Sequence, residues 1–192
     1  AIISSGSDVK GMVYYNSEKE KVKNKSKIRK ENTMSGKLLY VSNIFNSSRD
    51  TIVKTLESYN KQNKIVKKPN IHISLNFHKN DNLTDSKLIK IANDYMNLLG
   101  YGEQPFAIFR HYDRDHHHIH ITSTRINAKG KKINDSFEKY KSMAITEKLE
   151  KKYDLIIAKN SNSQEEILNI NKSIHNYVNN GDGSLVNIIS NA

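Results

Sequence analysis

One short stretch limits the folds open to this chain more than any other, because it alternates histidine with isoleucine. Residues 110–122 hold five of the eight histidines of the protein. On a β-strand, residues i and i+2 point to the same face. His118 and His120 therefore share one face, while Ile119 and Ile121 point into a core on the other. This pattern predicts a half-buried strand of a sheet and argues against a flexible histidine tract.

A third histidine can join this pair. His111 follows the strand-like run 106–109, and a hairpin between that run and His118 would bring His111 alongside. The chain contains no cysteine, so imidazole and carboxylate groups are its strong metal ligands. Three neutral imidazoles can hold a divalent ion and leave positions open for substrate. Asp113 and Asp115 supply carboxylates that can orient the imidazoles.

The charge of the chain points to a polyanionic partner. The 192 residues carry a formal net charge of +11 and a sequence pI of about 9.6. With few aromatic residues and no segment of membrane-spanning length, this charge favours nucleic acid over a membrane surface. A lysine-rich surface that serves solubility is the alternative. The densest basic run is interpreted both as a solvated loop and as an arm that orders on DNA; it contains Lys19, Lys21, Lys23, Lys25, Lys27, Arg29 and Lys30.

The hydrophobic periodicity predicts an α+β fold. Residues 71–78 alternate strictly, with a polar row that meets either solvent or a partner. Thr84 and Gly100 are the expected ends of the clearest helix. Residues 105–124 predict an antiparallel pair. We expect a central antiparallel sheet of about five strands with flanking helices, packed largely on the face opposite the histidines. Ser136 is expected to cap a helix over about 137–153, and 155–158 to form a short strand.

Two adjacent tyrosines, Tyr14 and Tyr15, lie near the end of a predicted N-terminal helix. Neighbouring helical residues point about 100° apart, so one tyrosine can pack while the other faces outward. A divalent ion can act as a Lewis acid on a phosphate oxygen. A tyrosine that attacks such a phosphodiester forms a phosphotyrosine and frees a 3′-hydroxyl, and the covalent bond allows later rejoining. Serine and water are alternative nucleophiles.

These residues resemble the motifs of a known family. The spacing His111-x-Asp113-x-x-x-x-His118-x-His120 resembles the histidine motif of conjugative relaxases, which are mobilisation nucleases of the HUH endonuclease superfamily, and in particular that of the P-type mobilisation relaxases. The resemblance covers roughly residues 1–140. Its further blocks are residues 3–6 with Gly11 and Tyr15-Asn16, residues 71–76, residues 98–105 and residues 130–135.

The resemblance implies roles for the site residues. His111, His118 and His120 would bind a divalent ion, and Asp113 would support a ligand by accepting a hydrogen bond from an imidazole. We expect Mg²⁺ or Mn²⁺ in use, while Ni²⁺, Co²⁺ or Zn²⁺ can occupy such ligands in a crystal. Tyr15, followed by Asn16 as in relatives, is the expected nucleophile. The alternative nucleophile is Tyr14, and the candidate bases are Asp115, His72 and His116.

The resemblance also implies a function. The chain would nick one DNA strand at an origin of transfer through a 5′-phosphotyrosine intermediate and rejoin it, in plasmid or integrative-element mobilisation. Its partners would be a DNA hairpin with adjacent single strand and accessory transfer proteins, and we expect a monomer in the bacterial cytoplasm. Residues expected to contact this DNA include the basic arm, Arg125, Lys131, Lys132 and the helix around 139–152. Tyr112 or Phe77 can stack on unpaired bases or, as the alternative, belong to the core.

Residues 1–160 are assigned to the nuclease domain and 161–192 to a helical extension, which belongs to the same domain or begins a truncated tail. The missing initial methionine is consistent with processing or with a fragment of a longer protein. Two other interpretations stay open. One is a rolling-circle replication initiator or transposase of the same superfamily. The other is a DNA-binding module without catalysis, in which the histidines hold a structural metal.

Overall fold

The fold is an antiparallel sheet with helices on both faces. It is given by a computed structural model, which describes residues 1–17 and 36–157. The strands pair antiparallel in the order β1-β3-β5-β4-β2. This confirms the predicted α+β fold with its five-stranded sheet. In chain order, the elements are β1 (Ile2–Gly6), α1 (Val9–Ser17), β2 (Lys37–Ser42), α2 (Arg49–Lys61), β3 (Asn70–Asn76), α3 (Asp85–Leu99), β4 (Phe106–His111), β5 (His118–Thr124) and α4 (Glu138–Lys152).

Local capping signals set the ends of three helices. Asp8 precedes α1 and accepts a hydrogen bond from the Gly11 N–H at 2.8 Å. The Thr84 side chain caps α3, and Gly100 ends it in the left-handed conformation at φ 92°, as predicted. Ser48 caps α2 in the same way as Thr84 caps α3. Of the described helices, none is both long and apolar enough to cross a membrane.

Around α4 the structure differs from two of the predictions, namely the residue that caps the helix and the short strand after it. Phe137, not Ser136, precedes the helix, and it adopts a left-handed φ of 57° without a side-chain cap. Ser136 instead donates its N–H to the Asn134 side chain at 2.9 Å, within the loop. Residues 155–157 form no strand. Two of their amides have other acceptors, since Leu155 donates to the Glu150 carbonyl oxygen at 2.9 Å and Ile156 to the Asp81 carboxylate at 2.9 Å.

Each face of the sheet has its own hydrophobic core. α3 and α4 cover the face that carries Ile119 and Ile121. α1 and α2 cover Ala107 and Phe109, which lie on the same face as His111. The expectation that helices pack largely on the face opposite the histidines is therefore wrong. The reason is that the histidines occupy one end of their face, and the apolar residues further along it also need burial.

Candidate active site

The pairing of β4 with β5 brings three histidines together. His111 lies opposite His118, and His120 is two residues further along the same face. The ring centroids of His111 are 4.2 Å from His120 and 5.5 Å from His118. One ligand nitrogen from each ring lies within 4.8 Å of the others, a spacing that a single ion can bridge. We call these residues the histidine triad.

The surroundings of His120 and of its neighbour His72 favour neutral imidazoles. Burial lowers the pKa of His120 to about 3, helped by the nearby rings of His111, His72 and His118. Burial also lowers the pKa of His72, with a further contribution from His111. A metal ion binds the unprotonated ring nitrogen, so an imidazole that is already neutral needs no proton removed. The donor set thus fits a divalent transition-type ion.

His111 is held from the side of α1. Its Nε2 lies 3.1 Å from the backbone carbonyl oxygen of Asn16, near the end of that helix. Gly36, which precedes β2, passes close to both groups. A Cβ at this position would overlap the Asn16 carbonyl oxygen and lie 2.7 Å from His111 Nε2. Only glycine therefore lets β2 begin here without displacing the imidazole.

His118 makes two contacts through its ring. Its Nε2 lies 2.9 Å from Asp113 Oδ1, and its Nδ1 lies 3.3 Å from the His116 carbonyl oxygen. Burial opposes ionisation of Asp113, but its own backbone N–H and the nearby imidazoles outweigh this and lower its pKa. Asp113 thus stands as a carboxylate against the triad, where an imidazole N–H or a metal ion can face it.

A fourth histidine contacts the triad from β3. His72 Nε2 lies 2.9 Å from His120 Nδ1, and the two rings stack at 4.9 Å. β3 is an interior strand between β1 and β5, so its polar row does not lie at a sheet edge. From sequence, His72 was only a candidate base. The alternation of residues 71–78 placed it on a polar face, but the register with β5 decides which side chain it meets.

The two tyrosines diverge as their spacing predicted. Tyr14 is half-buried, and its hydroxyl donates to Asp50 Oδ1 at 3.2 Å, on the side of α2. Tyr15 is 60% exposed and borders an open cleft of about 390 Å³. His72 borders the same cleft, and His72 in turn contacts His120 of the triad. The other lining residues are Ser4, Ser5, Gly6, Asp8, Gly11, Met12 and Asn16.

Arg110 organises the histidine end of the sheet, and the sequence interpretation missed it. Its guanidinium donates to Asp85 Oδ1 at 2.6 Å and lies 2.8 Å from His117 Nδ1. Lys37 pairs with the other oxygen of Asp85 at 2.7 Å. Arg110 thereby ties the start of α3 to the segment between β4 and β5. The strand alternation puts Arg110 on the face opposite His111, but no local pattern predicted its partners.

Only some of the residues predicted to contact DNA lie within the part of the chain that the structure describes. The basic arm, with Lys19, Lys21, Lys23, Lys25, Lys27, Arg29 and Lys30, lies outside the described residues and stays a prediction. Lys131 and Lys132 are exposed in the turn after β5.

Arg125, one of the residues expected to contact DNA, lies inside the fold. Its side chain is 4% exposed and bonds both oxygens of Glu138 at 2.8 Å. It also donates to the Tyr101 hydroxyl at 2.9 Å. Arg125 therefore joins β5 to α4 within the fold. A guanidinium with this burial and pairing is not accessible to a phosphate.

The structure also shows where the remaining residues named in the sequence analysis lie. Phe77 packs against the core beneath α3 and α4, so it is not a free stacking platform. Tyr112 is 41% exposed, with the Arg110 guanidinium 5.2 Å from its ring centroid. α4 packs on the face opposite the histidine triad, which separates its lysines from the cleft. Asp115 is exposed and His116 half-buried in the segment between β4 and β5.

The comparisons agree with this geometry. Residues 15–155 match the family model described as relaxase, MobA/VirD2-like, nuclease domain. Neither the curated proteins nor the solved structures contain a significant match to the chain. The family match spans most of the sequence, begins at Tyr15 and includes all three members of the histidine triad. The chain therefore belongs to the MobA/VirD2-like relaxases and contains their DNA nuclease domain.

Proposed function

We propose that this domain nicks one strand of DNA at an origin of transfer and that Tyr15 is the nucleophile. The observation that carries the proposal is the shared cleft. Tyr15 and His72 line it together, and His72 contacts His120 of the histidine triad. Tyr14 bonds to Asp50 on another side of α1, which favours Tyr15.

The reaction is a transesterification. The Tyr15 hydroxyl oxygen forms a bond to the scissile phosphorus, and the bond from phosphorus to the 3′ oxygen breaks. The phenolic proton passes to a base, and the leaving 3′ oxygen takes up a proton. The 5′ phosphate stays on Tyr15, and the reverse reaction restores the strand. Of the candidate bases, His72 is the one among the cleft's lining residues.

His111, His118 and His120 would hold a divalent ion. When bound, such an ion polarises a phosphate oxygen and stabilises the charge that develops during attack. Neutral imidazoles suit Mn²⁺, Ni²⁺, Co²⁺ and Zn²⁺ better than Mg²⁺, and we propose Mn²⁺ or Mg²⁺ as the ion in use. Asp113 fits the role of orienting His118, given their 2.9 Å contact.

The family match supports a proposal for the biological setting. The substrate would be a DNA hairpin with adjacent single strand, and the process would be mobilisation of a plasmid or integrative element. Accessory transfer proteins, a monomeric state and a bacterial cytoplasmic location belong to the same proposal. Lys131, Lys132 and the basic arm would contribute phosphate contacts.

A covalent-capture experiment tests the nucleophile. The protein is incubated with Mn²⁺ and a randomised single-stranded DNA library labelled at its 3′ end. The downstream fragment keeps its label and stays on the protein through its 5′ phosphate, so adducts that survive denaturation can be isolated and sequenced. We expect adducts with the unaltered protein and with Tyr14→Phe, and none with Tyr15→Phe.

Two results would contradict the proposal. Adducts that persist in Tyr15→Phe but disappear in Tyr14→Phe would move the nucleophile to Tyr14. Adducts that persist in both single variants and in the double variant would exclude both tyrosines as the nucleophile. DNA binding by Tyr15→Phe, measured by fluorescence anisotropy, serves as the control for folding. Captured sequences that match replication origins or transposon ends would favour the related initiator or transposase function.

A further inference from the structure

A group of exposed lysines gathers at the end of the sheet away from the histidine triad. The end of α2 with its following loop supplies four of them, and the turn after β5 supplies two. Asn63 joins the two segments, because its Nδ2 donates to the Gly130 carbonyl oxygen at 2.9 Å. We call this group the lysine surface; its members are Lys61, Lys64, Lys67, Lys68, Lys129 and Lys131.

The close approach of the two segments depends on Gly130. It has a φ of 72°, a conformation that favours glycine, and a Cβ there would lie 3.3 Å from the Gln62 carbonyl oxygen. The turn is closed by Asn127, whose side chain accepts from the Lys129 and Lys131 amides. The lysines of the turn are therefore held beside those of the α2 loop by specific contacts.

Few carboxylates offset this charge. Lys61 lies 3.9 Å from Glu57, an ion pair at the outer limit of such contacts. The neighbouring Lys132 pairs with Asp135 at 2.8 Å, and for that reason it is not counted in the surface. Over residues 1–17 and 36–157, no carboxylate pairs with the five remaining members. A concentration of unpaired like charge attracts a polyanion and raises its local concentration.

A groove of about 540 Å³ lies between the α2 loop and the start of α1, next to the Tyr15 cleft. Lys61, Lys64 and Lys67 line it, and Asp8 borders both cavities. The Asp8 carboxylate turns toward the first turn of α1, where the Gly11 N–H donates to it. The positive end of the helix offsets that charge, so Asp8 is a weak barrier to a phosphate backbone.

The composition of the surface indicates the form of the DNA. Residues 61–69 and 127–132 contain no aromatic side chain. Proteins that bind single strands stack bases on aromatic rings, whereas contacts to a duplex backbone need only donors and positive charge. Six lysines in segments that contain no aromatic residue therefore fit the phosphates of a duplex.

We infer that the lysine surface binds the phosphate backbone of double-stranded DNA that flanks the nicked segment. The inference rests on the proposed function. His118 and Thr124 stand at opposite ends of β5, six residue steps apart. At ~3.3 Å per step this is about 20 Å, or about six nucleotides of a duplex at ~3.4 Å each. The inferred duplex contacts thus lie about that far from the histidine triad.

The test compares duplex with single-stranded DNA. The full chain carrying Lys64→Gln, Lys67→Gln and Lys131→Gln is titrated against a fluorescent mixed-sequence duplex and against one of its strands, across a range of salt. Loss of three phosphate contacts should weaken duplex binding by about tenfold or more at low salt and reduce the salt slope by about two to three. Single-strand affinity should change much less.

A matched variant controls for total charge. Lys90→Gln, Lys141→Gln and Lys148→Gln remove three exposed lysines from α3 and α4, and this protein should bind the duplex almost as tightly as the unaltered one. Equal weakening by both triple variants would overturn the inference, as would an unchanged duplex affinity. An equal loss for the single strand would assign the surface to single-stranded DNA instead. Every protein in the series carries Tyr15→Phe, so the result does not depend on nicking.

Discussion

His72 and His120 face each other through ring nitrogens that are 2.9 Å apart. With both rings neutral, only one of these nitrogens carries the shared hydrogen. If His120 donates from Nδ1, its Nε2 keeps a free lone pair for a metal ion. If His72 donates, His120 Nε2 carries a proton and cannot bind the ion. His72 is thus placed to select the tautomer of His120, a task that a carboxylate or carbonyl often performs.

Replacing His72 should weaken metal binding. We expect His72→Ala to lower the affinity for Mn²⁺ by about tenfold to a hundredfold, the usual effect of losing a partner of a ligating histidine. Isothermal titration calorimetry measures this without any nicking assay. His72→Gln should recover part of the affinity, because its carbonyl oxygen can accept from His120 Nδ1. Ser74→Ala, on the same strand, is the control. An unchanged affinity in His72→Ala would refute the positioning role.

Tyr14→Phe should cost stability and leave covalent capture intact. The lost hydrogen bond from Tyr14 to Asp50 is exposed, so we expect about 0.5–1 kcal/mol less free energy of unfolding. Urea denaturation followed by circular dichroism gives this difference. The companion variant Asp50→Ala should have a similar effect, and the double variant should add little. Loss of capture in Tyr14→Phe would instead give Tyr14 a part in the reaction.

Metal binding should stabilise the fold without being required for it. Neither core includes a member of the triad, so a chelator should leave the protein folded. Mn²⁺ at a hundredfold excess over its Kd should add about 2.7 kcal/mol and raise the Tm. His118→Asn should abolish that rise. Unfolding on chelation would support the alternative in which the histidines hold a structural metal.

Arg125 should matter for stability more than for DNA binding. Arg125→Ala removes the cation that pairs with the largely buried Glu138 carboxylate, and we expect a loss of about 3–5 kcal/mol in the free energy of unfolding. The double variant Arg125→Met with Glu138→Leu removes both charges and should recover most of this loss. Lys148→Gln, an exposed substitution on α4, is the control. A small loss in Arg125→Ala together with weaker DNA binding would restore the original prediction.

The carboxylate of Asp85 should make stability depend on acid pH. Hydrogen bonds from Lys37 and then Arg110 lower its pKa below the ordinary value of 3.8. A lowered pKa means that this contribution is complete above about pH 3.8 and is lost as the pH falls through the lower native value. Asp85→Asn should therefore destabilise at pH 7, and the difference should shrink below pH 3.8. The urea midpoints of the unaltered protein and of Asp85→Asn, at pH 7 and at a pH below 3.8, measure this difference. Glu147→Gln is the control.

The sequence alone determined the elements and the chemical groups of the candidate site. Period-two alternation placed His118 and His120 on one face, and helical spacing separated Tyr14 from Tyr15. Capping residues placed the ends of α3. These features depend on neighbours in the chain, because a side chain's direction within its own strand or helix follows from local geometry.

The tertiary structure decided what each side chain meets. Strand register brought His72 to His120, and the docking of α1 set which tyrosine borders the cleft. Arg125 looked like a DNA contact in its basic neighbourhood, yet the fold buries it against Glu138. Asn63 and Gly130 join two lysine segments that lie far apart in sequence. Such partners depend on packing between distant elements, and local periodicity carries no information about which element lies opposite.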